Sequence, residues 1–482
     1  MAEKSTVKKG GVPEKKRMKT KSIAEAEDRI SQLPEAIIVH ILSFLPTMNV
    51  VQTCILSKRW KFIWFSVPKL FFSDTSTTAP KFQRFHNYVD NCLEHRKRGL
   101  YFIADSAVTS FKLQLKCCLR SKTRSLDKWL NFAVLNKVKE LSVDLNPGKG
   151  KNYGYYYYCL PRIVVNLRAL TILELSGIEL GYSFSFPCLK LLSLKDVRLA
   201  DNVKNDVISK SLLDCLSLEK LFLTSCHSLS THHPLQVKSS SLKFMKIRSD
   251  VSLQVEADNL ESLVIYRASY GELNLSACKA IRKLVLYCCD FRMTDQLPVQ
   301  DLITSLPLLE ELTFDNSYCK WQFEHLTISN QHLKSFKLIN VNCESKMIKV
   351  VTIKASPNLV SFGYEGYINC SISVESPNSL NGKFVFKDHH HNYDTNWFIS
   401  MIDFFLSLNC SWNSLTLHLS SDKALIMPDN CKRICCSVLS NWKHLRVIMD
   451  RYSKKRQSNL RDVLMWISPS LETLFVNGED IF

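Results

Sequence analysis

The chain has 482 residues, of which 46% are apolar and 22% charged, close to average globular composition. That balance excludes a largely disordered chain. The longest apolar stretch, Trp397–Leu408, spans only 12 residues and contains Asp403, which excludes a bilayer-spanning helix. Lys and Arg outnumber Asp and Glu by 63 to 45, for a formal net charge of +18.

A third of that excess, +6, falls within the first 21 residues. Residues 1–27 therefore read as a basic, disordered tail that could be a nuclear-import signal, a weak nucleic-acid arm or simply a solvated end. They lack the apolar core of a secretory signal, so the expected location is nucleus, cytoplasm or both. The remaining charge is too dilute for a protein-wide nucleic-acid footprint.

The chain has 18 cysteines, but without a secretory signal a disulfide framework is not expected. No C-x-x-C pair occurs. Cys431, Cys435 and Cys436 lack a matching second half, and His389, His390 and His391 read as a polar loop. No metal and no cofactor are expected, and the cysteines read as reduced, packed thiols.

Residues 28–74 predict a small helical module. Pro34 suits a helix's first turn, and Ile37, Ile38, Ile41, Leu42 and Leu45 form one wide apolar stripe. Pro46 ends that helix and Thr47 is placed to cap the next, which carries Val50, Val51, Cys54 and Ile55. Trp60 and Trp64 share one face of a third helix. Three short helices bury little surface alone, so part of the stripe is expected to remain exposed as an interaction surface.

The segment DRISQLPEAIIVHILSFLPTMNVVQTCILSKRWKFIWFSVPKLFF resembles a plant F-box along its full length. The matching features are the DRIS-x-LP opening, the ILSFLPT helix end, the ILSKRW segment and the W-x-x-x-VP exit. The resemblance implies docking onto a Skp-type adaptor and, through it, a cullin–RING ubiquitin ligase. Carried over by position, the implied adaptor contacts are Leu33, Pro34, Ile37, Ile41, Leu56 and Trp60, with Trp64 in the core. Sequence leaves open which of them face the adaptor and which fill the F-box core.

Residues 75–135 read as a connector: a helix over 82–97, a strand carrying Phe111, Leu113 and Leu115, and a helix carrying Leu126, Trp129, Leu130, Ala133 and Val134. From residue 136 the pattern L-x-x-L-x-L recurs. Nine copies start between residues 170 and 359 at intervals of 18 to 29, the spacing of leucine-rich repeats, with Val138 opening a plausible first copy. An apolar residue at i+3 and another at i+5 share one face of a short strand, so each repeat buries its apolar face against its neighbours. Residues 136–368 are the repeats. Residues 369–482 drift, and sequence leaves open an FBD segment or further, divergent repeats, although their end looks more like repeat strands. Tyr153–Tyr158, broken only by Gly154, reads as an irregular loop.

The whole resembles the plant F-box/leucine-rich-repeat family, often grouped with F-box/FBD proteins. The expected fold is α/β: a three-helix F-box followed by a curved leucine-rich-repeat solenoid of the ribonuclease-inhibitor type. On that geometry the outward strand positions put Phe222, Lys246, Arg248, Tyr266 and Tyr287 on the concave side, with Lys195 and Lys337 nearby. Aromatic and Arg side chains are common interface anchors, and the cations suit an acidic or phosphorylated target.

The chain lacks a P-loop, G-x-S-x-G, H-E-x-x-H and a glycine-rich dinucleotide turn, so it is not expected to be an enzyme. The resemblance implies a substrate receptor of an SCF-type ligase, binding an unidentified protein target. A non-degradative repeat scaffold is the alternative.

Overall fold

The computed structural model describes residues 30, 32–74, 79–100, 107–116, 123–146, 148–149, 155–199, 206–226, 235–249, 252–266, 273–287, 298–317, 324–341, 348–387, 393–408, 410–428 and 442–481. The basic tail, the Cys431–Cys436 cluster and the His389–His391 run lie outside them.

The first module is built from α1 (Glu35–Leu42), α2 (Thr47–Gln52) with a 3₁₀ turn at Thr53–Ile55, and α3 (Lys58–Ser66). Pro34 stands just before α1, where its missing N–H removes no helix bond. Ser57 caps α3, its hydroxyl accepting from the Trp60 N–H. Ile38, Leu42, Val50, Trp60, Ile63, Trp64 and Val67 form a core separate from that of the rest of the chain.

Thr47 departs from expectation. Pro46 occupies the cap position, and Thr47 is buried with its hydroxyl oxygen accepting the Phe71 N–H at 2.7 Å. It fastens the first strand rather than capping a helix.

That strand, β1 (Lys69–Asp74), opens a parallel ladder. It pairs with β2 (Ser110–Leu115), which pairs with β3 (Glu140–Leu145). The ladder continues, each strand parallel to the last, through β4 (Ile172–Ser176), β5 (Leu191–Lys195), β6 (Lys220–Thr224), β7 (Phe244–Arg248), β8 (Ser262–Tyr266) and β9 (Lys283–Tyr287). It runs on through β10 (Glu311–Asp315), β11 (Ser335–Asn340), β12 (Ser361–Gly366), β13 (Leu380–Phe386), β14 (Trp412–Ser421), β15 (His444–Arg451) and β16 (Thr473–Val476).

The expected borders after residues 74 and 135 therefore do not interrupt the ladder. The last residues of the first module are its first strand, and the connector supplies its second. The strands between 380 and 476 join the same sheet. The drift of the repeat pattern there reflects long strands and aromatic filling, with Phe384, Trp412 and Phe404 in edge-to-face contact, rather than an end of the sheet.

Most rungs alternate inward and outward side chains, as Lys220–Thr224 shows with Leu221 and Leu223 buried and Phe222 and Thr224 half-exposed. The leading Leu of each copy lies in a turn before the strand. Leu170, Leu189, Leu218, Leu260 and Leu359 each donate their N–H to the carbonyl three residues back. That position often holds a small or apolar buried residue, including Cys215, Ala257 and Ser356. Several strands leave through a residue with positive φ, such as Gly177, Asp196 and Ser225. Behind the ladder, α4 (Ala79–Leu100), α5 (Thr123–Leu135), further helices at Thr395–Ser407 and Gln457–Ile467, and short parallel strand sets fill the other layer. Their apolar side chains join the ladder's in one continuous core.

The Tyr-rich patch is not an irregular loop where it is described. Tyr155–Tyr156 and Tyr158–Cys159 are short strands, and the buried Tyr158 donates its hydroxyl to Asp127.

Candidate docking surfaces

Two surfaces stand out, one on the helical module and one on the ladder. The α1 stripe divides lengthwise. Ile38 and Leu42 face the core, while Ile37 and Ile41 are each 46% exposed. Four residues make about one turn, so Ile37 and Ile41 stack on one strip and Ile38 and Leu42 on the next. Leu56 is 63% exposed, Pro34 is exposed and Leu33 is half-buried.

Trp60 does not share this surface. It is 5% exposed, packed with Trp64 in the module core, because both rings point inward one turn apart on α3. The assignment of Trp60 as an adaptor contact is corrected: it supports the surface from beneath.

Phe44, Met48 and Ile55 add exposed apolar area that the resemblance did not single out, Ile55 being 87% exposed. The signal was present in sequence as apolar residues out of phase with the buried positions. The face is held in shape by Arg59, whose Nη2 donates to the Leu33 carbonyl at 2.9 Å and whose Nε lies 3.6 Å from Glu35.

The module is joined to the ladder through α4. Arg96 is completely buried and donates from Nη1 to the Trp64 carbonyl at 2.8 Å and from Nη2 to the Val67 carbonyl at 2.9 Å. A cation at the carbonyl end of α3 is electrostatically well placed. Three residues on, the absence of a side chain at Gly99 lets the Phe65 ring lie against the helix backbone, where a Cβ would overlap it.

On the ladder, register places outward side chains in rows. One row runs Phe222, Lys246, Val264, Val285 and the next Thr224, Arg248, Tyr266, Tyr287, Asp315. The five expected target-face residues are brought together. Lys246 Nζ sits 5.3 Å and the Arg248 guanidinium 5.9 Å from the Tyr266 ring centre. Tyr266 stacks on Tyr287 at 4.4 Å with 16° between planes. Phe222 packs on Phe244 at 5.2 Å, an aromatic that precedes the first buried position of its strand and so escaped the sequence pattern. Burial, then Tyr266 and Asp315, raise the Tyr287 phenol above its ordinary value. Val285 and Asp315, outward by register, are both buried. Lys337 is engaged by Glu365 at 3.5 Å, which removes it as an available cation.

A cleft of about 460 Å³ lies at the other end, lined by Tyr393, Lys423, Tyr452 and Arg456 among others. Its buried Asp422 is held by Arg456 at 2.7 Å and by the Ser453 N–H at 2.9 Å. Among the described residues no group of three or more His, Cys, Asp or Glu side chains is placed to hold a metal, and no helix is long and apolar enough to cross a membrane.

Comparison with known proteins agrees with this division. The F-box domain family matches residues 30–72, and the family described as At1g61320/AtMIF1, LRR domain, matches residues 104–318. The chain therefore carries an F-box domain followed by a leucine-rich-repeat domain, the pair that plant F-box/LRR-repeat proteins are named for. The repeat match begins at residue 104, upstream of the expected border and in keeping with β2 as a ladder rung.

Among Arabidopsis thaliana relatives, the FBD-associated F-box protein At4g10400 is 32% identical over 203 residues, covering 42% of this chain and 46% of that protein. The F-box protein At4g09920 is 32% identical over 199 residues, covering 41% of this chain and 58% of the relative. The F-box/FBD/LRR-repeat protein At5g56420 is 30% identical over 204 residues, 41% of this chain and 44% of the relative. The chain spans about half the length of these three relatives. Neither matched family is a catalytic one.

Proposed function

We propose that this F-box/leucine-rich-repeat protein is the substrate-recognition subunit of an SCF-type cullin–RING ubiquitin ligase. Its F-box docks a Skp-type adaptor through the exposed strip of Ile37, Ile41 and Leu56, with Pro34 and Leu33 at its margin. Its repeats curve as a solenoid of the ribonuclease-inhibitor type and hold a protein target on their open face at Phe222, Lys246, Arg248, Tyr266 and Tyr287. The observation that carries this reading is the apolar strip left uncovered on a module whose own core is complete. Apolar area of that kind on a small helical unit marks a protein interface.

In this role the chain performs no bond chemistry. It raises the effective concentration of the target near the charged conjugating enzyme, and the buried Arg96 junction keeps the two docking surfaces at a set distance.

The test is proximity labelling in plant cells under proteasome inhibition, comparing the wild type with an Ile41→Asp/Leu56→Asp variant. Labelled proteins that accumulate ubiquitin conjugates only with the wild type support the reading. Partners labelled equally and left unmodified by both chains support a non-degradative scaffold and contradict it.

A further inference from the structure

The charge on the open face of the ladder is segregated. The five consecutive strands β5 to β9 contain no Asp or Glu, whereas Lys195, Lys220, Lys246, Arg248 and Lys283 occupy outward positions on them. Carboxylates return on either side, with Asp144 and Glu174 before this window and Asp315 after it, while Glu365 further on is already paired with Lys337 and Lys387. Lys283 is taken up by Glu311 at 2.5 Å. Lys246 and Arg248 have no carboxylate within ion-pair distance among the described residues.

Those two cations instead flank the face of Tyr266, whose stacked partner Tyr287 and the Phe222–Phe244 pair complete an aromatic floor. A ring beneath a cation holds its stem and attracts the charge, while N–H groups remain to meet a ligand from solvent. Guanidinium geometry favours a planar carboxylate bound through two parallel hydrogen bonds.

We propose that this window docks an acidic segment of the target protein, with Asp or Glu carboxylates at Arg248 and Lys246 and an apolar or aromatic side chain on the Tyr266–Tyr287 stack. The proposal rests on the reading of the ladder as the target-binding face and names the chemistry that face selects. Five rungs at ~4.8 Å spacing cover ~19 Å, the length of ~6 residues of extended peptide. The flanking carboxylates repel an acidic segment placed out of register, which fixes where along the ladder it lies.

The test is fluorescence anisotropy with the full-length chain and a short labelled peptide of Asp and Glu around one central Phe. Its comparators are the same peptide with Asn and Gln, and that amide peptide carrying phosphoserines. The acidic peptide is expected to bind, and to bind more weakly as salt is raised. Lys246→Glu with Arg248→Glu should weaken it by about tenfold or more while adaptor binding is unchanged. Lys246→Met with Arg248→Met keeps the stems over Tyr266 and should show the same loss if charge reversal disturbs the strand. Equal binding of the acidic and amide peptides, binding of the phosphoserine peptide alone, or undiminished affinity in both double variants would overturn the proposal. Loss of adaptor binding by the wild type, with peptide binding intact, would strike the ligase reading and leave this one standing.

Discussion

The guanidinium of Arg96 has no exposure to solvent, and burial lowers its pKa to about 10. A buried cation persists when its donors are satisfied, and here two of them meet the Trp64 and Val67 carbonyls. Arg96→Met would leave those carbonyls without these donors, with an expected loss of about 2–4 kcal/mol, read as a lower urea midpoint. Arg96→Lys cannot reproduce the two-pronged contact and should recover only part of it. Side-chain reactivity gives a second check. Burial pushes the Cys226 and Cys370 thiols up to about 12, whereas Cys188 is exposed. Alkylation of the native chain at mildly alkaline pH should therefore label Cys188 well ahead of Cys226 and Cys370, and equal labelling would contradict their packing. The sequence carried none of this for Arg96, because its partners are backbone carbonyls some thirty residues away, set by the junction and not by any local pattern.

At the scale of elements, the same helix contributes a core strip and a surface strip, and α3 places Trp60 under the surface rather than on it. Trp60→Ala should cost about 3–5 kcal/mol and reduce adaptor binding only through loss of the folded module. Thermal unfolding measured beside binding separates the two causes: Leu56→Asp should leave the melting temperature nearly unchanged and still weaken binding by about tenfold. The apolar spacing of α1 was readable as one stripe, but its division was not. Which half is buried depends on where α3 lands, a tertiary contact outside the sequence window. The ladder was far more legible. Leu-x-Leu in a strand admits one inward face, and rungs such as Leu221–Leu223 and Leu263–Ile265 repeat it directly. The first rung escaped because Leu70 and Phe72 belong to the F-box motif, and β2, legible as a strand, was not legible as a rung because a 22-residue helix, Ala79–Leu100, separates it from β1.

Across the whole molecule, one parallel sheet carries the chain from the exit of the F-box to its last strand. Its final edge is covered by an antiparallel turn of chain that pairs Phe475 with Asp480. The net charge of +18 is not uniform over this framework. On the open face it resolves into a basic, aromatic window between acidic rungs, while the tail that holds a third of it lies outside the described residues. The aromatic and cationic residues of that window were legible one by one, but their row-by-row adjacency follows from the strand register. A continuous ladder is joined to the F-box by buried contacts, so the two proposed docking surfaces sit on one connected framework, and the ligase reading depends first on the adaptor surface. The most direct test is a titration of the full-length chain with a purified Skp-type adaptor, comparing the wild type with Ile41→Asp/Leu56→Asp. The wild type is expected to form a stable complex, and the variant to fold normally and bind about 100-fold more weakly. A wild-type chain that binds no adaptor, or a variant that binds as tightly, would contradict the ligase reading.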